Sequence, residues 1–287
     1  MNGIFLGLLS ALSFGTADFF AGRSSKKIGV FSTLFYMQLV GLLFLTAAVF
    51  WQGQWDALLS LRHAAAASLW MAVDLIGILF LYQGLRTGSS AVVAPVASSF
   101  SVVTVALAFL SGERLGTGTW LGIIMTLSGV ILASMVWRSG RSKQRPGTAL
   151  ASGVLWAVLA SLFLGAAFFG LRFAQEALGG LLTVWIGRLQ AVILLPVLYR
   201  LLKIRLTSPG RNGAGLVALV GILDAVALVS YNTGLGLEDT SIVITATSLF
   251  AIVTLLWGVL AGGEKPAWNQ WVGVGCTFAG ILIVSWP

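Results

Sequence analysis

Asp74 and Asp224 stand 150 positions apart, each in the middle of a long apolar run. Asp18 lies nearer the end of another such run, and Arg188 lies well inside a fourth. A carboxylate or guanidinium at the centre of a membrane helix costs about 2.5–3.5 kcal/mol on insertion scales, and these four together roughly 10 kcal/mol, unless they face each other or water. Two kinds of chemistry suit them. The Asp74/Asp224 pair is expected to line a central pathway and bind a cation or a proton, with Asp18 as a lesser candidate. Alternatively, one acid pairs with Arg188 and locks helices together, with Asp224 or Asp18 as the partner. Gln38 aligns with Arg188 at the same offset of 150, an expected cavity-facing position for both.

A second tier is neutral and polar. Tyr82, Gln83, Ser98, Ser99 and Thr104 follow Asp74, and Tyr231, Asn232, Thr233, Thr245, Thr247 and Ser248 follow Asp224. These side chains can contact a solute, or they can satisfy backbone groups and bridge helices. Tyr82 and Asn232 occupy matching positions, so a site built from both halves is expected to be chemically asymmetric.

Other chemistries lack their residues. One histidine, His63, and one cysteine, Cys276, do not make an ordinary zinc constellation. No GxxxxGK[ST] run is present for holding a nucleotide triphosphate, and no aspartate-rich metal cluster of the membrane prenyltransferase kind occurs. No metal, cofactor or catalytic group is expected. The net charge of +8 does not point to nucleic acid, because the basic residues sit in short gaps and form no basic stripe.

The elements that carry these residues must be membrane helices. Of the 287 residues 58% are hydrophobic and only 9% charged, and the mean hydropathy is +0.97. A soluble chain carries about 25% charged residues, so lipid is the solvent for most of this surface. Ten stretches approach the ~20 apolar residues a spanning helix needs: 3–22, 31–51, 65–85, 90–111, 118–137, 147–170, 180–200, 214–236, 241–262 and 270–286. The first lacks a basic leader and aligns with the sixth (Gly15, Ala17 and Phe19 with Gly165, Ala167 and Phe169), so it is expected to be a span of the mature protein and not a signal peptide. Most of the 11 Trp fall near span ends, as an interfacial belt.

The text is read twice. Asp74, Gly84, Gly112–Glu113, Trp120, Gly122 and Gly129 return as Asp224, Gly234, Gly263–Glu264, Trp271, Gly273 and Gly280, the offset rising from 150 to 151 after one extra glycine. The expected organisation is a five-helix repeat over 1–137, a basic hinge over 138–146 and a second repeat over 147–287. Five is odd, so the second copy runs through the membrane in the opposite sense. Of the 17 Lys and Arg, 13 fall in the gaps after spans 1, 3, 5, 7 and 9 and three on the other side; Arg188 is the remaining one. By the positive-inside rule the hinge is cytoplasmic and both termini lie outside. Pro95 is expected to kink span 4, whereas its counterpart Thr245 leaves span 9 without that device.

The stretch Gly88–Ser–Ser–Ala–Val–Val–Ala–Pro95, the turn Gly112–Glu113 with Gly122 and Gly129, and the second set Thr240–Ser–Ile–Val, Gly263–Glu264, Gly273 and Gly280 resemble the EamA branch of the drug/metabolite transporter superfamily. The likeness covers nearly the whole chain. It implies ten helices in two inverted repeats, a central cavity lined mainly by spans 1–4 and 6–9, and peripheral spans 5 and 10. Glu113 and Glu264 match the family's Gly–Glu motif and are expected to stay near the N-terminus of the next helix, where the dipole favours a carboxylate. The resemblance and the acids together lead to a secondary carrier working by alternating access in the inner membrane of a bacterium. Its expected partners are a small, cationic or zwitterionic organic solute, a proton exchanging with it, and the lipid bilayer; a monomer suffices. The alternatives are a proton-independent facilitator of neutral metabolites and a non-transporting membrane sensor.

Overall fold

The computed structural model describes residues 2–53, 61–111, 117–134, 152–237 and 240–284. Every regular element among them is a helix: α1 (Asn2–Ile28), α2 (Val30–Gln52), α3 (Leu61–Thr87), α4 (Ser90–Ser98), α5 (Phe100–Leu110), α6 (Thr117–Ser134), α7 (Val154–Leu201), α8 (Gly210–Leu235), α9 (Thr240–Ser248), α10 (Phe250–Leu260) and α11 (Trp268–Val284). Seven helices among the described residues are long and apolar enough to cross a membrane by length and composition. With α6, the pair α9–α10 and α11 the bundle has ten spans, because α4–α5 form one span and α7 forms two. The chain is thus an all-helical membrane protein made of a duplicated five-helix unit.

Three details depart from the expected spans. The 48 residues of α7 hold two spans that meet at Gly179 with no loop between them. Its φ of 70° and ψ of 169° suit glycine alone, so the reversal needs a single residue. The helix of the sixth span begins at Val154, after the positive-φ Gly153, and residues 135–151 before it lie outside the described residues. The expected kink of span 4 is matched in span 9. The helices break at Ser99 and at Leu249, which are equivalent positions. Pro95 lies one turn before the first break, inside α4, and at the break itself the Ser99 N–H and hydroxyl both turn to the Val96 carbonyl, three residues back. The second needs no proline: Leu249 N–H turns to the Ala246 carbonyl, three residues back, while the Ser248 hydroxyl donates to the Ile244 carbonyl. Such back-bonding bends helices.

The two repeats pack through exchanged contacts. α1 lies along α8, α9 and α10, while α7 lies along α3, α4 and α5, and α6 packs on α11. Thr254 Oγ1 donates to the Gly15 carbonyl at 3.1 Å. Its equivalent, Thr104 Oγ1, donates to the Gly165 carbonyl at 3.0 Å. A Cβ on Gly15 would meet Phe250 O at 2.4 Å, and one on Gly165 would meet Phe100 O at 2.7 Å. Gly129 against Thr277 and Gly280 against Thr126 repeat the pattern between α6 and α11. Reciprocal contacts of this kind define a two-fold relation, and the odd span count lays its axis in the membrane plane. The close approach predicts that Gly15→Ala and Gly165→Ala each destabilise the bundle by about 1–3 kcal/mol, read as a lower melting temperature in detergent. Substitution of Gly118, which faces open space, should leave it unchanged.

Glu264 does not sit at the helix that follows it. Its carboxylate reaches across to the other repeat and accepts hydrogen bonds from the backbone N–H groups of Ser90 at 2.9 Å and Ala91 at 3.0 Å. It thereby caps the N-terminus of α4, where the first N–H groups have no intrahelical partner. Nearby, Arg23 of α1 donates to the Ala261 carbonyl at the end of α10. Glu113 and the hinge 138–146 lie outside the described residues.

Candidate functional site: an acid cavity between the repeats

Where the exchanged contacts meet, one cavity is bordered by Asp18 of α1, Asp74 of α3 and Asp224 of α8. Its remaining walls are Phe14, Ile78, Leu81, Phe100, Leu164, Phe168, Thr247 and Phe250. Four of the lining pairs are equivalent at the offset of 150: Phe14 with Leu164, Asp18 with Phe168, Asp74 with Asp224, and Phe100 with Phe250. The cavity therefore lies on the pseudo-two-fold axis. It also lies at the two helix breaks, since Phe100 and Phe250 are the first residues of α5 and α10. Discontinuous helices beside a midplane site are a recurrent feature of carriers built from inverted repeats. In this conformation the cavity measures about 30 Å³, room for a water or two.

The third acid is already engaged. Arg188, on the second half of α7, is fully buried and ion-pairs with Asp224 through Nη2. Its Nη1 donates to Gln38 Oε1 of α2. Gly41 leaves room for it: a Cβ there would stand 3.4 Å from Arg188 Nε. The guanidinium thus ties α2, α7 and α8 together one layer behind the cavity. Asp18 and Asp74 have no hydrogen-bond or ion-pair partner among the described residues, and no Lys, Arg or His borders the cavity. The symmetry of Asp74 and Asp224 in the sequence is broken at this point, because position 38 holds a glutamine where position 188 holds an arginine.

The neutral candidates divide. The Tyr82 hydroxyl donates to Met37 Sδ at 3.0 Å, away from the cavity. Ser98, Ser99 and Ser248 donate to the carbonyls of Pro95, Val96 and Ile244, and Thr104 to Gly165 and Phe100. They serve the backbone at the helix breaks. Gln83 is half-buried and outside the lining. Asn232 donates to the Leu228 carbonyl. Thr247 Oγ1, Tyr231 Oη and Asn232 Oδ1 are buried with no partner among the described residues, and of these three residues Thr247 borders the cavity. The Thr245 side chain lies outside the described residues. The aromatic walls were not among the candidates. The offset of 150 between Phe100 and Phe250 was the available signal, but phenylalanine is common in any apolar helix.

A family description matches this architecture twice, that of the EamA-like transporter family, over residues 1–135 and again over 151–286. The chain belongs to that family. As a member it is a membrane transporter, and its cargo class is a small-molecule solute. An uncharacterized protein of Methanocaldococcus jannaschii is 29% identical over 133 residues, which is 46% of this transporter and 96% of that protein. That relative is about one repeat long. A protein solved by crystallography superposes with a TM-score of 0.67 at 18% identity, over 98% of this chain and 95% of its own. At that identity the likeness shows the fold.

Proposed function

We propose that this transporter is a secondary carrier in which Asp18 and Asp74 form the working acid pair, binding solute or proton alternately as the two repeats rock about the axis between them. The observation that carries this reading is that two carboxyls with no direct ion-pair partner among the described residues border one cavity on that axis. Asp224, paired to Arg188, holds the helices behind it. A solute larger than a water or two requires the repeats to part, as alternating access demands. The solute then takes the place of the proton on the acids, which couples the two fluxes. A proton-independent facilitator would instead move its solute at a rate indifferent to a pH gradient, and proteoliposomes with and without an imposed gradient separate the two.

The proposed setting is an inner membrane, with the basic ends of α1, α3 and the second half of α7 on the cytoplasmic side. The protein works as a monomer, since a fused pair of repeats closes its own pathway. In a Cys276→Ala background, a cysteine placed at the exposed Ser208 should react with a membrane-impermeant maleimide only after the cells are permeabilised. Labelling in intact cells would invert the topology.

A further inference from the structure

The walls of the acid cavity distinguish among solutes, if the carrier reading above holds. Phe14, Phe168, Phe100 and Phe250 all border it. Their rings form one continuous series, with centroids 6.3 Å apart for Phe14–Phe168, 4.8 Å for Phe168–Phe100 and 6.0 Å for Phe100–Phe250. Aromatic faces carry a negative quadrupole and attract cations within about 6 Å of the ring centroid. Asp18 and Asp74 add two carboxyls to the same walls.

What the walls leave out matters as much. Arg188 is turned to Asp224 and Gln38, and among the described residues no basic side chain borders the cavity. A solute carboxylate or phosphate would therefore lose its water and gain no cation in return, the costliest kind of burial. It would also face two acids of its own sign. Among the described residues the only neutral polar side chain in the lining is Thr247, too little to satisfy a sugar or another polyhydroxyl solute.

We propose that the solute is an organic cation with an apolar or aromatic body, an amine or quaternary ammonium, and that neither zwitterionic amino acids nor anions are its substrates. The charged head sits between the two carboxyls and the phenylalanine faces, and the body fills the space that opens when the rings part. Such a cation and a proton compete for the same acids.

The test uses four probes with one aromatic body: phenethylammonium, phenylalanine, 2-phenylethanol and phenylacetate. Each is titrated against the purified full-length protein, with binding read from the rise in melting temperature. The expected result is binding of phenethylammonium at least about tenfold tighter than the other three, as one unpaired ionic contact would give. Asp18→Asn/Asp74→Asn should abolish that preference. Phe168→Leu should weaken it about fivefold, the size of one cation–π contact. Tighter binding of phenylalanine or phenylacetate, equal binding of all four, or no binding by any overturns the cation assignment. Counterflow in proteoliposomes separates this from the carrier reading: a cation that binds selectively yet shows no counterflow contradicts the carrier and leaves the selectivity standing.

Discussion

Asp74→Asn should leave the protein folded and reduce coupled transport by about 100-fold. Asparagine keeps the shape of the side chain and removes its charge, so a solute or proton held by the carboxyl loses a partner worth about 3 kcal/mol. No ion pair among the described residues depends on Asp74, and for that reason its melting temperature should stay within a degree or two of wild type. Asp18→Asn should behave in the same way. Melting curves and initial transport rates, measured on the same preparation, check both. A variant that transports normally would remove Asp74 from the pathway, and one that fails to fold would return it to a structural role.

Arg188→Met should do the opposite, damaging the fold first. It leaves Asp224 buried without its ion-pair partner, and losing one partner of a buried ion pair costs about 3–5 kcal/mol. Among the described residues the pair spans three helices, so thermal unfolding in detergent should shift downward by many degrees. Adding Asp224→Leu to Arg188→Met should recover most of that loss, because the uncompensated charge is then gone. Arg188→Lys should be intermediate, since an ammonium cannot reach Gln38 and Asp224 with a planar fork. Equal stability of Arg188→Met and wild type would mean that the pair holds nothing together.

These two residues show where sequence and structure part company. The offset of 150 reveals the duplication, the span count and the kinship of Asp74 with Asp224, because repeated text survives in residue identities. It cannot tell that one member of the acid pair is neutralised. Gln38 and Arg188 are equivalent in position, and only the packing of α2, α7 and α8 decides which acid the guanidinium meets. Asp18 lies nearer a span end in the sequence, yet it borders the cavity together with Asp74 and Asp224. Pro95 flags span 4 as a helix that bends, one turn before its break at Ser99. The matching break at Leu249 is accompanied by the back-bond of Ser248, which reads from sequence as ordinary helix filling. The partner of Glu264 is 174 residues away, a distance that no local capping pattern encodes.

The carrier reading stands or falls on coupling. Wild-type protein and Asp74→Asn are reconstituted into proteoliposomes loaded with a pH-sensitive dye, and organic amines, amino acids and neutral metabolites are added outside in turn. The account predicts that at least one solute drives proton movement across the wild-type membrane and none does so with Asp74→Asn. Solute uptake that proceeds at one rate in both proteins, with no proton movement and no response to an imposed pH gradient, would contradict it.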